Sequence, residues 1–110
     1  MTRGDVVTVA LPGDVGKPRP AIIVQSDVLT ASQLRSVLVC PLTSFSSQPS
    51  LFRVPIEPTR SNGLLMASEA MVDKISPANR ERIGDVIGAI DALTMRRLER
   101  SMAVVLGFAG

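Results

Sequence analysis

The chain has no histidine, no tryptophan and no tyrosine, and its single cysteine is Cys40. Each gap closes a class of chemistry. Without imidazole, Ser-His-Asp triads, Cys-His dyads and paired-histidine nucleases lack the group that titrates near neutral pH. The usual zinc ligand sets lose a member for the same reason, and one cysteine makes no intrachain disulfide, so no structural metal is expected. Long apolar runs are missing as well. The longest, Met102 to Leu106, is five residues, against the roughly 18 a membrane-spanning helix requires. Arg3 and Asp5 interrupt the start of the chain before an apolar export segment forms, which makes a cytoplasmic protein without a membrane span the expectation.

What is present is ordinary for a globular domain: 110 residues, 45% apolar and 20% charged. A single domain over residues 1–110 is expected, long enough to bury its own core. Ten arginines and two lysines stand against ten acidic residues, for a net charge of +2. The arginine bias matters because guanidinium pairs bidentately with phosphate and stays charged throughout the physiological range. The small net charge permits an anionic partner without demanding one.

Arg3 to Leu11 alternates, with Val7, Val9 and Leu11 on one side, and predicts a strand. Pro12 to Pro20 reads as a loop, Ala21 to Val24 as a buried strand, Asp27 to Ser36 as a polar stretch holding a helical turn, and Val37 to Cys40 as a further strand. Thr43 to Ser50 has many hydroxyls and no apolar period, which predicts a mobile loop. Phe52 to Ile56 is strand-like, but Pro55 confines it to an edge or bulge. Asn62-Gly63 signals a tight turn, Leu64 to Ile75 an extended segment, Ser76-Pro77 the opening of a helical turn, and Ile83 to Ile90 a strand. Asp91 caps a helix whose apolar positions Met95, Leu98, Met102 and Val105 repeat at helical spacing, and Gly107 ends it. That stripe suits either the chain's own core or a partner chain. About six short strands closed by one C-terminal helix predict a mainly β fold, a small, partly open barrel.

Two segments carry candidate chemistry. In Gly16-Lys17-Pro18-Arg19-Pro20 the flanking prolines restrict the backbone around Arg19, so its guanidinium is placed with less freedom than a typical surface arginine. In Cys40-Pro41-Leu42-Thr43-Ser44 two hydroxyls follow a predicted buried strand and suit a phosphate. Each has a plain alternative, a solvated charge at a strand entrance and simple turn chemistry. Cys40 alternates with buried positions and reads as a small hydrophobe rather than a nucleophile. Arg96, Arg97 and Arg100 read as the wet side of the last helix.

Taken in order, Arg3-Gly4-Asp5-Val6-Val7, Gly16-Lys17-Pro18-Arg19-Pro20-Ala21-Ile22-Ile23-Val24, Pro41-Leu42-Thr43-Ser44, Asn62-Gly63-Leu64, Asp73-Lys74-Ile75 and Arg82-Ile83-Gly84 resemble the MazF/PemK (Kid) toxin family over essentially the whole chain. The resemblance implies an SH3-like small barrel, a homodimer, and the toxin of a type II toxin–antitoxin pair. It implies a metal-independent, cofactor-free endoribonuclease that cuts single-stranded RNA at short motifs, leaving 2′,3′-cyclic phosphate and 5′-hydroxyl ends, and that a segment of a cognate MazE-like antitoxin blocks. The family's catalytic arginine matches Arg19 and its threonine Thr43, with Lys17 and Ser44 as phosphate-binding candidates. Kid-like members carry a loop histidine and an Arg-x-Asp on a later strand. Here the triplet is Met71-Val72-Asp73 and histidine is absent, which is the MazF-like pattern.

The chemistry suits these residues independently. Attack of a ribose 2′-OH on its own phosphate is intramolecular, so the protein need only align groups and neutralise charge. Arginine is a poor base, which leaves proton removal to a carboxylate, with Asp14 and Asp73 as candidates, or to water. A rival use of the same fold is the CcdB-like gyrase poison acting through its C-terminal tail, here Val105 to Gly110, although that family's tail tryptophan is absent.

Overall fold

A computed structural model of the chain describes residues 1–13, 17–46, 48 and 50–109. Among these residues, seven strands and two α-helices follow in the order β1 (Asp5–Val9), β2 (Arg19–Ile23), α1 (Asp27–Ala31), β3 (Ser36–Ser44), β4 (Arg53–Ile56), β5 (Ser68–Met71), β6 (Ser76–Asn79), β7 (Ile83–Ala89) and α2 (Ala92–Val105). Among the described residues the strands pair antiparallel, in the order β4-β5-β3-β2-β1-β7, with β6 paired to β3. β4 and β7 occupy the two ends of this order, so the sheet stays open rather than closing into a barrel.

β3 organises the molecule. At nine residues it is long enough to serve three partners, with β2 along one edge and β6, then β5, along the other. Its two faces enter two cores, as alternation requires. Cys40 and Leu42 join Val6, Ile22, Val54, Ala70 and Leu98 in one, whereas Val37 and Val39 join Val7, Val9, Ala21 and Ile23 in the other. Both faces of β1 and β2 are therefore covered, which explains why Val6 is as fully buried as Val7.

The helix α2 closes the first core. Asp91 caps its start by accepting a 2.7 Å hydrogen bond from the Thr94 amide. Its end is a Schellman arrangement: Gly107 has φ of +82°, and the Phe108 and Gly107 amides donate to the Ala103 and Val104 carbonyls. Leu98 is fully buried, and Met95, Met102 and Val105 pack around it, so the apolar stripe of α2 is used within the chain. Ser101 Oγ donates to the Leu51 carbonyl at 2.6 Å and ties α2 to the entry of β4.

Three local expectations are corrected. Thr43 and Ser44 belong to β3, not to a loop, because β5 supplies Glu69 and Ser68 as their partners. Ser76-Pro77 opens strand β6 rather than a helical turn, and Pro77 is tolerated because β6 pairs on one side only. The helical turns are short 3-10 segments on either side, Val72–Lys74 and Arg80–Arg82. The extended stretch predicted over Leu64 to Ile75 narrows to β5. Pro55, by contrast, lies on the end strand β4, as its missing donor requires. No helix among the described residues is long and apolar enough to cross a membrane.

Candidate active site

Arg19 and Thr43 are 24 positions apart in the sequence and come to the same end of the sheet. β2 and β3 pair from Ile23 opposite Val39 to Ala21 opposite Pro41, and beyond that last pair lie Arg19, at the start of β2, and Thr43, near the end of β3. Arg19 is the first residue of β2 and pairs with Val9 on its other side. Both line a cleft of about 710 Å³, together with Thr8, Ser44, Ser68 and the segment Gly63 to Met66. The cleft wraps the ends of β2 and β3 and draws on both of their faces, since Ser44 alternates with Thr43.

The far wall depends on a close backbone crossing. Asn62 Oδ1 accepts from the Thr59 and Leu64 amides at 3.0 Å each, and its Nδ2 donates to the Glu57 carbonyl. Gly63 follows with φ of +70°, where a Cβ would run into the Ile87 carbonyl. Only glycine lets this turn press against β7 and carry Leu64, Leu65 and Met66 into the cleft. Leu65 is 98% exposed and Met66 61%, with Val86 and Ile87 half-exposed nearby in sequence to that crossing, so apolar side chains face solvent beside a polar site.

The remaining sequence candidates are placed unequally. Ser44 is exposed and its hydroxyl contacts Met66 Sδ at 3.8 Å, within the cleft. Lys17 is exposed, two residues before Arg19, and is not among the residues lining the cleft. Asp73 is exposed on the 3-10 turn Val72–Lys74 and also does not line it. Its charge acts elsewhere: burial pushes the Cys40 thiol up to about 12, and the Asp73 carboxylate adds to the shift. Cys40 is fully buried and is not a nucleophile at neutral pH. Asp14 lies outside the described residues.

Sequence reasoning missed Glu69 and Arg53. Glu69 stands directly opposite Thr43 in β5, its side chain only 3% exposed, and Arg53 Nη1 donates to Glu69 Oε1 at 3.1 Å. The sequence carried no signal for them, since the burial of Ser68, Glu69 and Ala70 follows from strand pairing. Among the described residues no three His, Cys, Asp or Glu side chains gather where they could hold a metal ion.

The family model for PemK-like, MazF-like toxins of type II toxin–antitoxin systems matches residues 2–106. The chain belongs to that family. The probable endoribonuclease MazF of Mycolicibacterium smegmatis is 39% identical over 111 residues, covering all of both chains. Among solved structures, an endoribonuclease in complex with its cognate antitoxin from a mycobacterial species superposes with a TM-score of 0.82 at 21% identity, covering all of this chain and 98% of that one. The Mycobacterium tuberculosis toxin MazF-mt6 superposes at 0.78 with 22% identity, over 94% of this chain and 96% of that one. These two likenesses fix the MazF toxin fold, a mainly β sheet with a C-terminal helix. Nothing in the comparisons favours the CcdB-like reading of the tail.

Proposed function

We propose that this MazF-family toxin is a cytoplasmic, metal-independent endoribonuclease that cuts single-stranded RNA at a short motif and so arrests translation and growth. The observation that carries the reading is the meeting of Arg19 and Thr43 in one cleft, supported by the relative named as an endoribonuclease. In this mechanism the Arg19 guanidinium donates paired N–H bonds to the non-bridging oxygens of the scissile phosphate and neutralises the charge that grows as the 2′-oxygen attacks phosphorus. Thr43 Oγ1 donates a further hydrogen bond and fixes the phosphate, with Ser44 and Lys17 as added phosphate contacts. The 2′-hydroxyl loses its proton to water or a carboxylate; Asp73 does not line the cleft, so Asp14 stays as the carboxylate candidate. As the bond from the 2′-oxygen to phosphorus forms, the bond from phosphorus to the 5′-oxygen breaks and that oxygen takes a proton from water, giving a 2′,3′-cyclic phosphate and a 5′-hydroxyl.

A homodimer and a MazE-like antitoxin segment complete the proposal. The exposed apolar group Leu65, Met66, Val86 and Ile87 is the surface that supports an added chain beside the cleft, now that the α2 stripe is accounted for internally. One of the structural neighbours was solved with its cognate antitoxin. The test is incubation of the purified protein with a defined RNA in excess EDTA, followed by mapping of the cut ends. Cleavage should persist, and a 2′-deoxy or 2′-O-methyl sugar at the cut site should block it. Activity lost in EDTA and restored by magnesium, or efficient cutting at a 2′-deoxy site, would overturn the mechanism.

A further inference from the structure

A second pocket of about 260 Å³ adjoins the Arg19–Thr43 site, and none of the motif residues of the first site lines it. Its polar floor is the Arg53–Glu69 ion pair. Phe45, Gln48, Ser50 and Pro55 form its sides, and Phe45 is 49% exposed, one of only three aromatic side chains in the chain. A carboxylate taken this far out of water is costly, and a single ion pair does not reliably offset the cost, so the pair is poorly explained by stability alone.

Register places the pocket relative to the reacting phosphate. Thr43, Glu69 and Pro55 are direct neighbours across β3, β5 and β4, and directly opposite residues share a face. With strands about 4.8 Å apart, Glu69 stands roughly one strand spacing from Thr43. An RNA strand whose scissile phosphate sits at Arg19 and Thr43 carries an adjoining nucleotide past this pocket.

We propose that the pocket reads a cytosine base next to the scissile phosphate, an inference that rests on the nuclease reading above. Both residues line the pocket: the Glu69 carboxylate is an acceptor with one oxygen engaged by Arg53 Nη1, and Arg53, 30% exposed, has N–H groups beyond the one it gives to Glu69. Cytosine's pairing edge presents that combination: one donor, its 4-amino group, beside two acceptors, N3 and O2. The amino group donates to Glu69, and Arg53 donates to N3 and O2, while the Phe45 ring stacks on the base. Uracil puts an acceptor where the carboxylate needs a donor. Guanine sets two donors side by side, one of them against the guanidinium, and adenine has no second acceptor on that edge. A site built around buried polar groups rejects a base that leaves them unpaired.

The test begins with wild-type protein and a random-sequence RNA pool, with the cut ends sequenced. Cytosine should dominate at one fixed position flanking the cut. Replacing that cytosine with uracil, or with pyrimidin-2-one, which lacks only the 4-amino group, should slow cleavage about tenfold or more. Glu69→Gln should narrow the cytosine-over-uracil ratio, because the amide can also donate to uracil O4. Phe45→Ala, at an exposed rim position, should raise KM several-fold and keep the preference. If Glu69→Gln does not fold, as judged by circular dichroism, the base analogues and Phe45→Ala decide. A wild-type protein that cuts no RNA would sink the nuclease reading and this one with it. Cleavage without cytosine at a fixed position, or equal cutting of the pyrimidin-2-one substrate, would overturn the base-reading pocket and leave the nuclease reading intact.

Discussion

Replacing Arg19 with alanine tests the proposed chemistry at its most sensitive point. Arg19 enters β2 between Pro18 and Pro20, whose rings fix their own backbone angles, so the guanidinium is carried by a stiff segment at the cleft that Thr43 also lines. A cation about 4 Å from a full charge near a protein surface, at an effective dielectric constant of about 20, is worth roughly 4 kcal/mol. At about 1.4 kcal/mol per decade that is close to a 10³-fold effect on rate. Arg19 is exposed, so solvent and salt screen the contact and pull the expectation down toward 10², within the range of about 10²–10³ seen for one lost electrostatic donor. Thr43→Ala removes a neutral hydrogen bond of about 0.5–1.5 kcal/mol, so a loss of roughly two- to tenfold is expected. Arg19→Lys keeps the charge without the planar fork and should recover little. The assay is single-turnover cleavage of a defined RNA, with circular dichroism confirming that each variant folds. Arg19→Ala with a rate within threefold of wild type and the same cut sites would refute the assignment, as would Thr43→Ala proving the more damaging of the two.

Two predictions concern the frame around the site. Gly63→Ala should destabilise the fold by about 1–3 kcal/mol or more, because it combines an unfavourable positive φ with a Cβ directed at the Ile87 carbonyl; a thermal melt indistinguishable from wild type would show that the turn does not press on β7. Cys40, its thiol pushed up to about 12 by burial and by Asp73, should resist thiol reagents at pH 8 until the protein unfolds, and prompt labelling of the native protein would contradict its place in the core.

Elements whose periodicity and punctuation agree were legible in the sequence. β1 carries alternation and α2 helical spacing, and the α2 ends are marked by Asp91 and Gly107, which make the cap contacts those residues favour. β6 was not legible, since Ser-Pro-Ala-Asn has weak strand preference and an apparent helix-start proline. Its strand character comes from β3, which offers Ser36 to Val39 as a pairing edge. Thr43 and Ser44 misread as loop for the same reason: the partner that extends them, β5, lies some 25 residues further along the chain.

The same distinction separates the two parts of the site. Arg19-Pro20 and Pro41-Leu42-Thr43 are local patterns, each a few residues long, and their chemistry can be suspected before any pairing is known. Glu69 has no such pattern; its meaning comes wholly from the register that sets it beside Thr43 and from the β4 residue that reaches across to pair with it. β3 pairs Thr43 with Glu69 of β5, while Arg19, at the start of β2, lines the same cleft as Thr43. A phosphate held at Arg19 and Thr43 is thereby brought within a strand spacing of a polar pocket. The β-sheet that positions the cleaving groups also fixes the distance from the cut to the base being read, so substitutions in the Arg53–Glu69 pocket should shift which sequence is cut before they affect how the phosphate reacts.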